Sequence, residues 1–303
     1  MKKVIESVMV PLDGSALAEA ALPIGESIAK RSGSALHLVR VVDLEAAADE
    51  ARNAQRELET IADRVDASTQ VHVRLGAAAD QIVAVAGTLA HPLIVMTSHG
   101  RTGVGRWAFG SVADRVVHGG GAPVLLIRSG LAPVDPNDFA RFLVPLDGSA
   151  LAEIALPEAL ELSRLFNATV HFVRVVDTAR IFMTVGIDQA PISADIVNQL
   201  ITDLDAQARN YLDSITSKAR AEGFTAESEV PNGNPVGALL EYSDTKRIDL
   251  VIMATHGRGG FNRLVFGSVA ERLLRLMPTP VLVVPVDAVA ETSGSIEDPL
   301  APG

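Results

Sequence analysis

The sequence predicts an α/β protein built from two tandem doubly wound domains, each with a five-stranded parallel sheet. Three observations indicate this fold class. The chain repeats itself over the length of a domain, short apolar runs alternate with helical segments, and those runs are nearly continuous, as in strands buried on both faces. With 303 residues, 48% of them hydrophobic, the chain can supply two cores.

The repeat is visible in three blocks. VPLDGSALAE occurs at 10–19 and again at 144–153, and HLVRVVD at 37–43 is matched by HFVRVVD at 171–177. The glycine-rich block SHGRTGVGRWAFGSVADRV at 98–116 returns as THGRGGFNRLVFGSVAERL at 255–273. The first block recurs after 134 residues and the last after 157, so the second copy holds 23 extra residues between them.

The boundary between the copies is placed in the proline-containing segment 129–141. We therefore expect one domain over 1–130 and a second over 138–288. The polar segment 289–303 is expected to be a disordered tail.

Apolar runs and helical spacing indicate the first elements of the first copy. Lys3–Val10 is β-rich and predicts the first strand, and Ala35–Val42 predicts the second. Between them Ser15–Ser32 has helical spacing, although Pro23 should bend that helix, a feature that Pro157 repeats.

The remaining elements continue the alternation. Leu44–Val65 is rich in Ala, Glu and Arg at helical spacing, and a short strand, a helix and a continuous apolar strand follow it, at Gln70–Leu75, Ala79–Ala90 and Leu93–Thr97. Ser111–Val117 opens the last helix and Pro123–Arg128 is the last strand. Parallel strands joined through helices require right-handed crossovers.

Composition excludes several function classes. The net charge of −11 disfavours nucleic-acid and anionic-membrane partners, and 4% aromatic residues argue against a stacking platform for single strands. The chain has no cysteine, so disulfides and thiolate chemistry are excluded. Residues 1–15 resemble a first strand rather than a signal peptide, and no run of about 18 apolar residues occurs. A soluble cytoplasmic protein is expected.

Two loops are candidates for a ligand site, because open α/β sheets bind ligands beyond the carboxyl ends of their strands. Asp13 follows the first strand, and the block Ser98–Ser111 follows the strand that ends at Thr97. If these strands are neighbours, both loops face one crevice. Glycines at 100 and 110 would let backbone N–H groups approach a phosphate, and the helix start adds further donors.

Arginines could add charge-assisted phosphate contacts, Arg101 and Arg106 in the first copy and Arg258 and Arg263 in the second. Neither a P-loop, GxxxxGK[ST], nor a GxGxxG fingerprint is present, and no cluster of metal ligands is visible.

Simpler structural roles stand beside this interpretation. Ser111 with Asp114, and Ser268 with Glu271, are also capping boxes, and Asp13 could simply cap the next helix. The loop histidines His99 and His256 could be solvated, and the strand histidines His37 and His171 are expected to be satisfied core residues.

The block pattern resembles the nucleotide-binding signature of the universal stress protein A-like family: glycine, two residues, glycine, nine residues, glycine and serine or threonine. Both copies are similar to this family over nearly their whole length. The resemblance implies an adenine-nucleotide alpha-hydrolase-like fold that binds ATP, ADP or AMP, with Mg or Mn held by the phosphates. It also implies that the last strands pair, within one chain as a pseudo-dimer, between two chains as a homodimer, or both.

The resemblance carries the family's nucleotide contacts onto matching positions. In the first copy these are Pro11, Leu12, Asp13, Val41, Met96, Thr97, His99, Gly100, Arg101, Gly110, Ser111 and Val112. In the second copy they are Pro145, Leu146, Asp147, Val175, Met253, Ala254, His256, Gly257, Arg258, Gly267, Ser268 and Val269.

The sequence departs from the signature at its first glycine, which is Thr97 in the first copy and Ala254 in the second. A side chain there could crowd a ligand, and alanine is the milder change.

Three functions stay open. The chain could be a nucleotide-binding stress or signalling protein with little or no turnover, a relative that binds no nucleotide and acts through protein partners, or a slow ATPase. The extra segment around 178–195 is either a longer loop or a lid over the second site.

Overall fold

One ten-stranded sheet contains all the strands in the part of the chain that the structure describes. The computed structural model describes residues 4–45, 48–65, 67–98, 110–119, 121–128, 135–178, 194–254 and 267–286. The first half contains β1 (Ser7–Pro11), α1 (Ala16–Glu19), α2 (Leu22–Ser32), β2 (Ala35–Val42), α3 (Ala48–Ala62), β3 (Thr69–Leu75), α4 (Ala78–Ala86), β4 (Pro92–Thr97), α5 (Ser111–Gly119) and β5 (Val124–Ile127).

The second half repeats this order after a short 3-10 turn at Pro136–Asp138. It contains β6 (Arg141–Pro145), α6 (Ala150–Glu153), α7 (Leu156–Phe166), β7 (Thr169–Val173), α8 (Ala194–Ala221), β8 (Ala226–Glu229), α9 (Pro235–Thr245), β9 (Leu250–Ala254), α10 (Ser268–Leu276) and β10 (Val281–Val284). None of the helices in the described ranges combines the length and apolar character needed to cross a bilayer.

The expected single bent helix over Ser15–Ser32 is instead two helices. Ser15 caps α1 by accepting a hydrogen bond from the Ala18 N–H at 3.2 Å, and α1 ends after one turn. Pro23 lies in the first turn of α2, where its missing N–H costs no helical hydrogen bond. Pro157 starts α7 in the same way, so each proline begins a second helix and bends none.

The strand order is β3-β2-β1-β4-β5-β10-β9-β6-β7-β8. Within each half all the paired strands are parallel. The chain first builds outward from β1 to β3 and then returns to place β4 and β5 on the other side of β1. The prediction of two doubly wound α/β halves is confirmed.

Helices cover both faces of the sheet. Face A, packed by α2, α3, α7 and α8, has a core that includes Val10, Leu38, Phe142 and Phe172. Face B, packed by α4, α5, α9 and α10, has a core that includes Met9. Successive strand residues alternate between these two cores, as the pleat requires. The face A core is continuous through both halves, so the halves share buried surface as well as a sheet.

The two halves join through an antiparallel pair, β5 with β10. Leu125 lies opposite Leu282, with Leu126 opposite Val281 and Val124 opposite Val283. Leu125 and Leu282 are themselves equivalent residues of the repeat, 157 positions apart, so the pseudo-twofold axis passes through this pair. Both side chains are 0% exposed. Of the expected pairings of the last strands, this structure contains the one within the chain.

Two helices also meet across the pseudo-twofold axis on face A. The Arg31 guanidinium at the end of α2 donates to the Leu165 carbonyl of α7 at 3.2 Å and to the Asn137 side chain at 3.4 Å. Its Cζ lies 4.8 Å from the centroid of the Phe166 ring. These contacts hold α2 of one half against α7 of the other.

Candidate functional site

The strands that carry the two predicted loops are neighbours. β1 pairs with β4 in the first half, and β6 pairs with β9 in the second. The loops after these strands therefore leave the same edge of the sheet at the point where its winding direction reverses. In the first half a cavity of about 280 Å³ opens there.

The cavity brings together nine of the predicted site residues. They are Pro11, Leu12, Asp13, Val41, Met96, Thr97, Gly110, Ser111 and Val112. Six further residues of the described part of the chain also line the cavity: Ala18, Val39, Ala78, Ile82, Ser98 and Ala113. Ala78 and Ile82 belong to α4, whose approach to the crevice depends on packing across face B, and no motif marks them. Val39 could have been found, because it precedes Val41 by two residues on the same face of β2.

The Asp13 carboxylate stabilises its own turn. Its Oδ1 accepts from the Ser15 backbone N–H at 2.9 Å and from the Ser15 hydroxyl at 2.6 Å. Ser15, and not Asp13, is the N-cap of α1. Asp147 repeats the contact by accepting from the Ser149 N–H at 2.9 Å. The carboxylate therefore supports the helix start indirectly while its residue lines the cavity in the first half.

The start of α5 forms the opposite wall. The Gly110 N–H donates to the Ser98 carbonyl at 2.9 Å, so the two ends of the intervening loop meet at the cavity. The Gly110 carbonyl accepts from the Asp114 N–H at 3.0 Å, which makes Gly110 the residue before the first helical turn.

The capping-box interpretation of the two serines is wrong in the second half. Ser268 is the first residue of α10, and the N-cap is Gly267, which offers no side-chain hydrogen bond. Ser111 likewise begins α5 after Gly110. A serine one residue inside the helix cannot occupy the capping position, because the N-cap residue must still have non-helical backbone angles.

The side chains that replace the first glycine of the signature are buried. Thr97 is 5% exposed and Ala254 is 7% exposed. Ala254 packs in the face A core, whereas Met253 packs in the face B core. The cavity of the first half opens on the face B side, where Val39 and Met96 line it. In the first half the equivalent residue, Thr97, is nevertheless one of the residues that line the cavity.

A buried arginine lies behind the first turn. Arg40, on β2, is 7% exposed, and its Nη1 is 3.8 Å from Glu57 Oε2. A Cβ added at Gly14 would lie 2.6 Å from Arg40 Nη2 and 2.9 Å from its Cζ. Gly14 has a φ of +79°, which favours glycine in any case.

The equivalent arginine of the second half, Arg174, contacts an aromatic ring. The Arg174 Cζ lies 5.2 Å from the centroid of the Tyr211 ring on α8. The Tyr211 hydroxyl donates to Glu153 Oε1 at 3.0 Å. Burial raises the pKa of Tyr211, and the hydrogen bond to the Glu153 carboxylate raises it further. This arrangement connects α8 to α6, the helix that follows the Asp147 turn, and sequence reasoning missed it.

The other predicted residues of the second half occupy matching positions in the fold. The Leu146 backbone N–H donates to the Val173 carbonyl at 2.8 Å. The Leu12 N–H donates to the Val39 carbonyl at the same distance. Val175 lies beyond the end of β7, whereas Val41 lies within β2. The pairing of β7 with β8 is shorter than that of β2 with β3. Pro231, two residues after the end of β8, accounts for this because it has no N–H to donate to the neighbouring strand. Gly267, Ser268 and Val269 begin α10 as their counterparts begin α5.

The strand histidines lie in the interior, as expected, although their surroundings differ. His37 Nδ1 is 3.0 Å from His72 Nε2, and burial followed by the His72 charge lowers the pKa of His37. Burial and the charge of Arg74 lower the pKa of His72. One ring must donate and the other accept, so this contact requires at least one neutral histidine.

His171 is 4% exposed, and its Nδ1 is 3.0 Å from the Tyr242 hydroxyl. Its Nε2 is buried without a partner within the described part of the chain, so this histidine is only half satisfied. Burial lowers the pKa of His171. The Glu227 and Glu229 carboxylates act in the opposite direction, and Lys246 and Arg141 add to the lowering.

Some predicted residues lie outside the described residues. They are His99, Gly100, Arg101, Arg106, His256, Gly257, Arg258 and Arg263, together with 179–193 of the extra segment and the tail at 289–303. In the ranges that the structure does describe, no group of three or more histidines and carboxylates could hold a metal ion.

Comparisons with known proteins agree on one family. The model of the universal stress protein family matches residues 5–128 and again 138–285. A universal stress protein of Methanocaldococcus jannaschii is 30% identical over 159 residues, which are 52% of this chain and 86% of that protein. One from Mycobacterium tuberculosis is 26% identical over 191 residues, which are 63% of this chain and 61% of that protein.

A solved structure extends the similarity to the tandem arrangement. A universal stress protein from Archaeoglobus fulgidus superposes with a TM-score of 0.69 at 21% identity, over 92% of this chain and 98% of that one. At this identity the likeness shows the fold alone, and the family model carries the assignment. Since that model matches both halves and nearly the whole chain, the protein belongs to the universal stress protein family, as a tandem member.

Proposed function

We propose that this protein binds an adenine nucleotide, ATP or its products ADP and AMP, and acts as a stress-response or signalling module with little or no turnover. One observation carries the proposal. Nine residues to which the family resemblance assigns nucleotide contacts line one cavity at the switch point of the first half. Its volume of about 280 Å³ is near the lower end of typical ligand pockets, about 300–1,000 Å³.

The chemistry of the lining fits a nucleoside. Val39, Val41, Ile82 and Met96 provide an apolar surface for a planar base. Asp13 provides a carboxylate acceptor suited to ribose hydroxyl groups. These two kinds of surface in one cavity support a ligand with an apolar ring and a polar sugar.

The start of α5 suits the phosphates. Gly110, Ser111 and Val112 line the cavity at the beginning of a nine-residue helix, where backbone N–H groups have no helical acceptor. The positive end of the helix dipole adds to their attraction for an anion. A divalent ion such as Mg²⁺ or Mn²⁺ would be held by the phosphates of the nucleotide. The start of α10 is proposed to serve the second site.

Little or no turnover fits the same lining. Among the described residues that line the cavity, Asp13 is the one titratable group, and its Oδ1 already accepts two hydrogen bonds from Ser15. Rapid hydrolysis needs a general base positioned to activate water. A binding protein needs only the cavity and its donors.

Calorimetric titration of nucleotide-free protein with Mg-ATP tests the proposal. We expect two binding events. We also expect Gly110→Val to remove the first and Gly267→Val the second, because a branched side chain would fill the space beside each helix start. Gly119→Ala is the matched control at the far end of α5, where an added Cβ meets nothing within 4 Å.

Thermal unfolding provides a second measurement. A ligand present at 100 times its Kd stabilises the folded state by about 2.7 kcal/mol, and Gly110→Val with Gly267→Val should abolish that gain. Absence of both heat and stabilisation in the wild type would overturn the proposal and favour a protein that acts through its surface. Phosphate release that scales with protein and disappears in both glycine variants would show a slow ATPase instead.

A further inference from the structure

A guanidinium group packs beneath the turn that carries the candidate aspartate in each half. In the first half, Arg40 approaches the Gly14 backbone so closely that an added Cβ would overlap its guanidinium, with Cζ at 2.9 Å. In the second half, a Cβ at Gly148 would lie 2.8 Å from Arg174 Nη1 and 3.0 Å from its Cζ. The two glycines have φ values of +79° and +85°. The same close contact therefore occurs twice.

The position of the arginine is unusual for a charged residue. Arg40 is 7% exposed, and burial of a guanidinium is costly unless nearby groups compensate its charge. Glu57 Oε2 lies 3.8 Å from Arg40 Nη1, so a carboxylate is near enough to interact with the guanidinium. The residue before Gly14 is Asp13, whose carboxylate lines the cavity.

A positive charge behind this turn would have two effects on the site. It would offset the negative charge of Asp13, which otherwise opposes the approach of an anionic ligand. It would also fix the backbone of the Asp-Gly-Ser turn, because the planar group fills the space below the glycine. Both effects concern how the turn is presented to the cavity, since Arg40 is not itself among the lining residues.

We propose that Arg40 and Arg174 are positioning residues of the two nucleotide sites, each setting the geometry and charge of the aspartate turn above it. This inference rests on the proposed function and extends it to residues outside the cavity. The two arginines also have the following neighbours. Arg40 is buried beside an exposed carboxylate, whereas Arg174 lies against the Tyr211 ring, which is anchored to Glu153.

Each arginine should be tested in a protein that retains one site. In the Gly267→Val background, where the first site remains, Arg40→Met is expected to raise the Kd for Mg-ATP at least tenfold. Arg174→Met in the same background is the matched control, with an expected change of less than twofold. The pattern reverses in the Gly110→Val background. Arg40→Lys keeps the charge but lacks the planar group, so its Kd should lie between those of Arg40→Met and the parent.

This design separates a positioning role from general damage to the fold. The halves share one sheet and one continuous face A core, so loss of stability would weaken both sites together. Equal losses for both arginines in one background, a change below twofold for Arg40→Met, or no recovery with Arg40→Lys would each overturn the inference. If Arg40→Met does not fold, Arg40→Gln is judged by the same criteria. If the wild type takes up no nucleotide, the proposed function itself fails, and this inference fails with it.

Discussion

The junction between the halves should contribute measurably to the stability of the whole chain. Leu125 and Leu282 face each other across the antiparallel β5–β10 pair, and both are 0% exposed. Truncation of a fully buried leucine to alanine costs about 2–5 kcal/mol, because apolar contact is lost and a cavity remains. Leu125→Ala and Leu282→Ala should each lower the free energy of unfolding by that amount. Leu44→Ala, at a side chain that is 76% exposed, should change it by about 0.5 kcal/mol or less.

Urea unfolding of the wild type, both single variants and the double variant checks this reasoning. Since the two side chains are paired, we expect their effects to differ from additivity by about 0.5 kcal/mol or more. Because the face A core spans both halves, the wild type should also unfold in one transition. Losses below about 1 kcal/mol, or strictly additive effects, would refute the pairing of these strands in solution.

Two further predictions concern titration and backbone strain. The pKa values of His37, His72 and His171 are lowered from 6.5 by burial, so below that pH the unfolded chain binds more protons than the folded one. The urea concentration at the unfolding midpoint should therefore decrease as the pH is lowered from about 7 to about 5. Replacing all three histidines by glutamine should flatten that pH dependence. Gly14→Ala should destabilise the protein more than Gly33→Ala. Both glycines have positive φ, but an added Cβ at Gly33 meets nothing within 4 Å, whereas one at Gly14 overlaps a guanidinium. Equal unfolding free energies for these two variants would argue against the close contact.

The sheet and much of the first site could be predicted because they depend on chain order. The repeated blocks identify equivalent strands, and parallel strands necessarily end at one edge. Asp13 and Gly110 could thus be assigned to one crevice before any contact was known. Ala78 and Ile82 could not, because their place in the lining depends on how α4 lies across face B.

Local sequence also left several details undecided. Pro23 is compatible with a bent helix and with the first turn of a new one, and the break between α1 and α2 decides between them. Ser268 is one residue too late to be a cap, a distinction finer than any propensity scale resolves. The stacking of Arg174 on Tyr211 joins residues from distant segments, so it leaves no local signal.

The pairing of Leu125 with Leu282 changes how this protein responds to dilution. Two separate chains joined by such strands would dissociate as their concentration fell. Here both strands belong to one chain, and two elements joined by a short linker meet at an effective concentration on the order of millimolar. The contact therefore persists at the lowest cellular abundance. Joining the halves in one chain also allows them to differ in sequence, and they do: Thr97 of the first half is matched by Ala254 in the second.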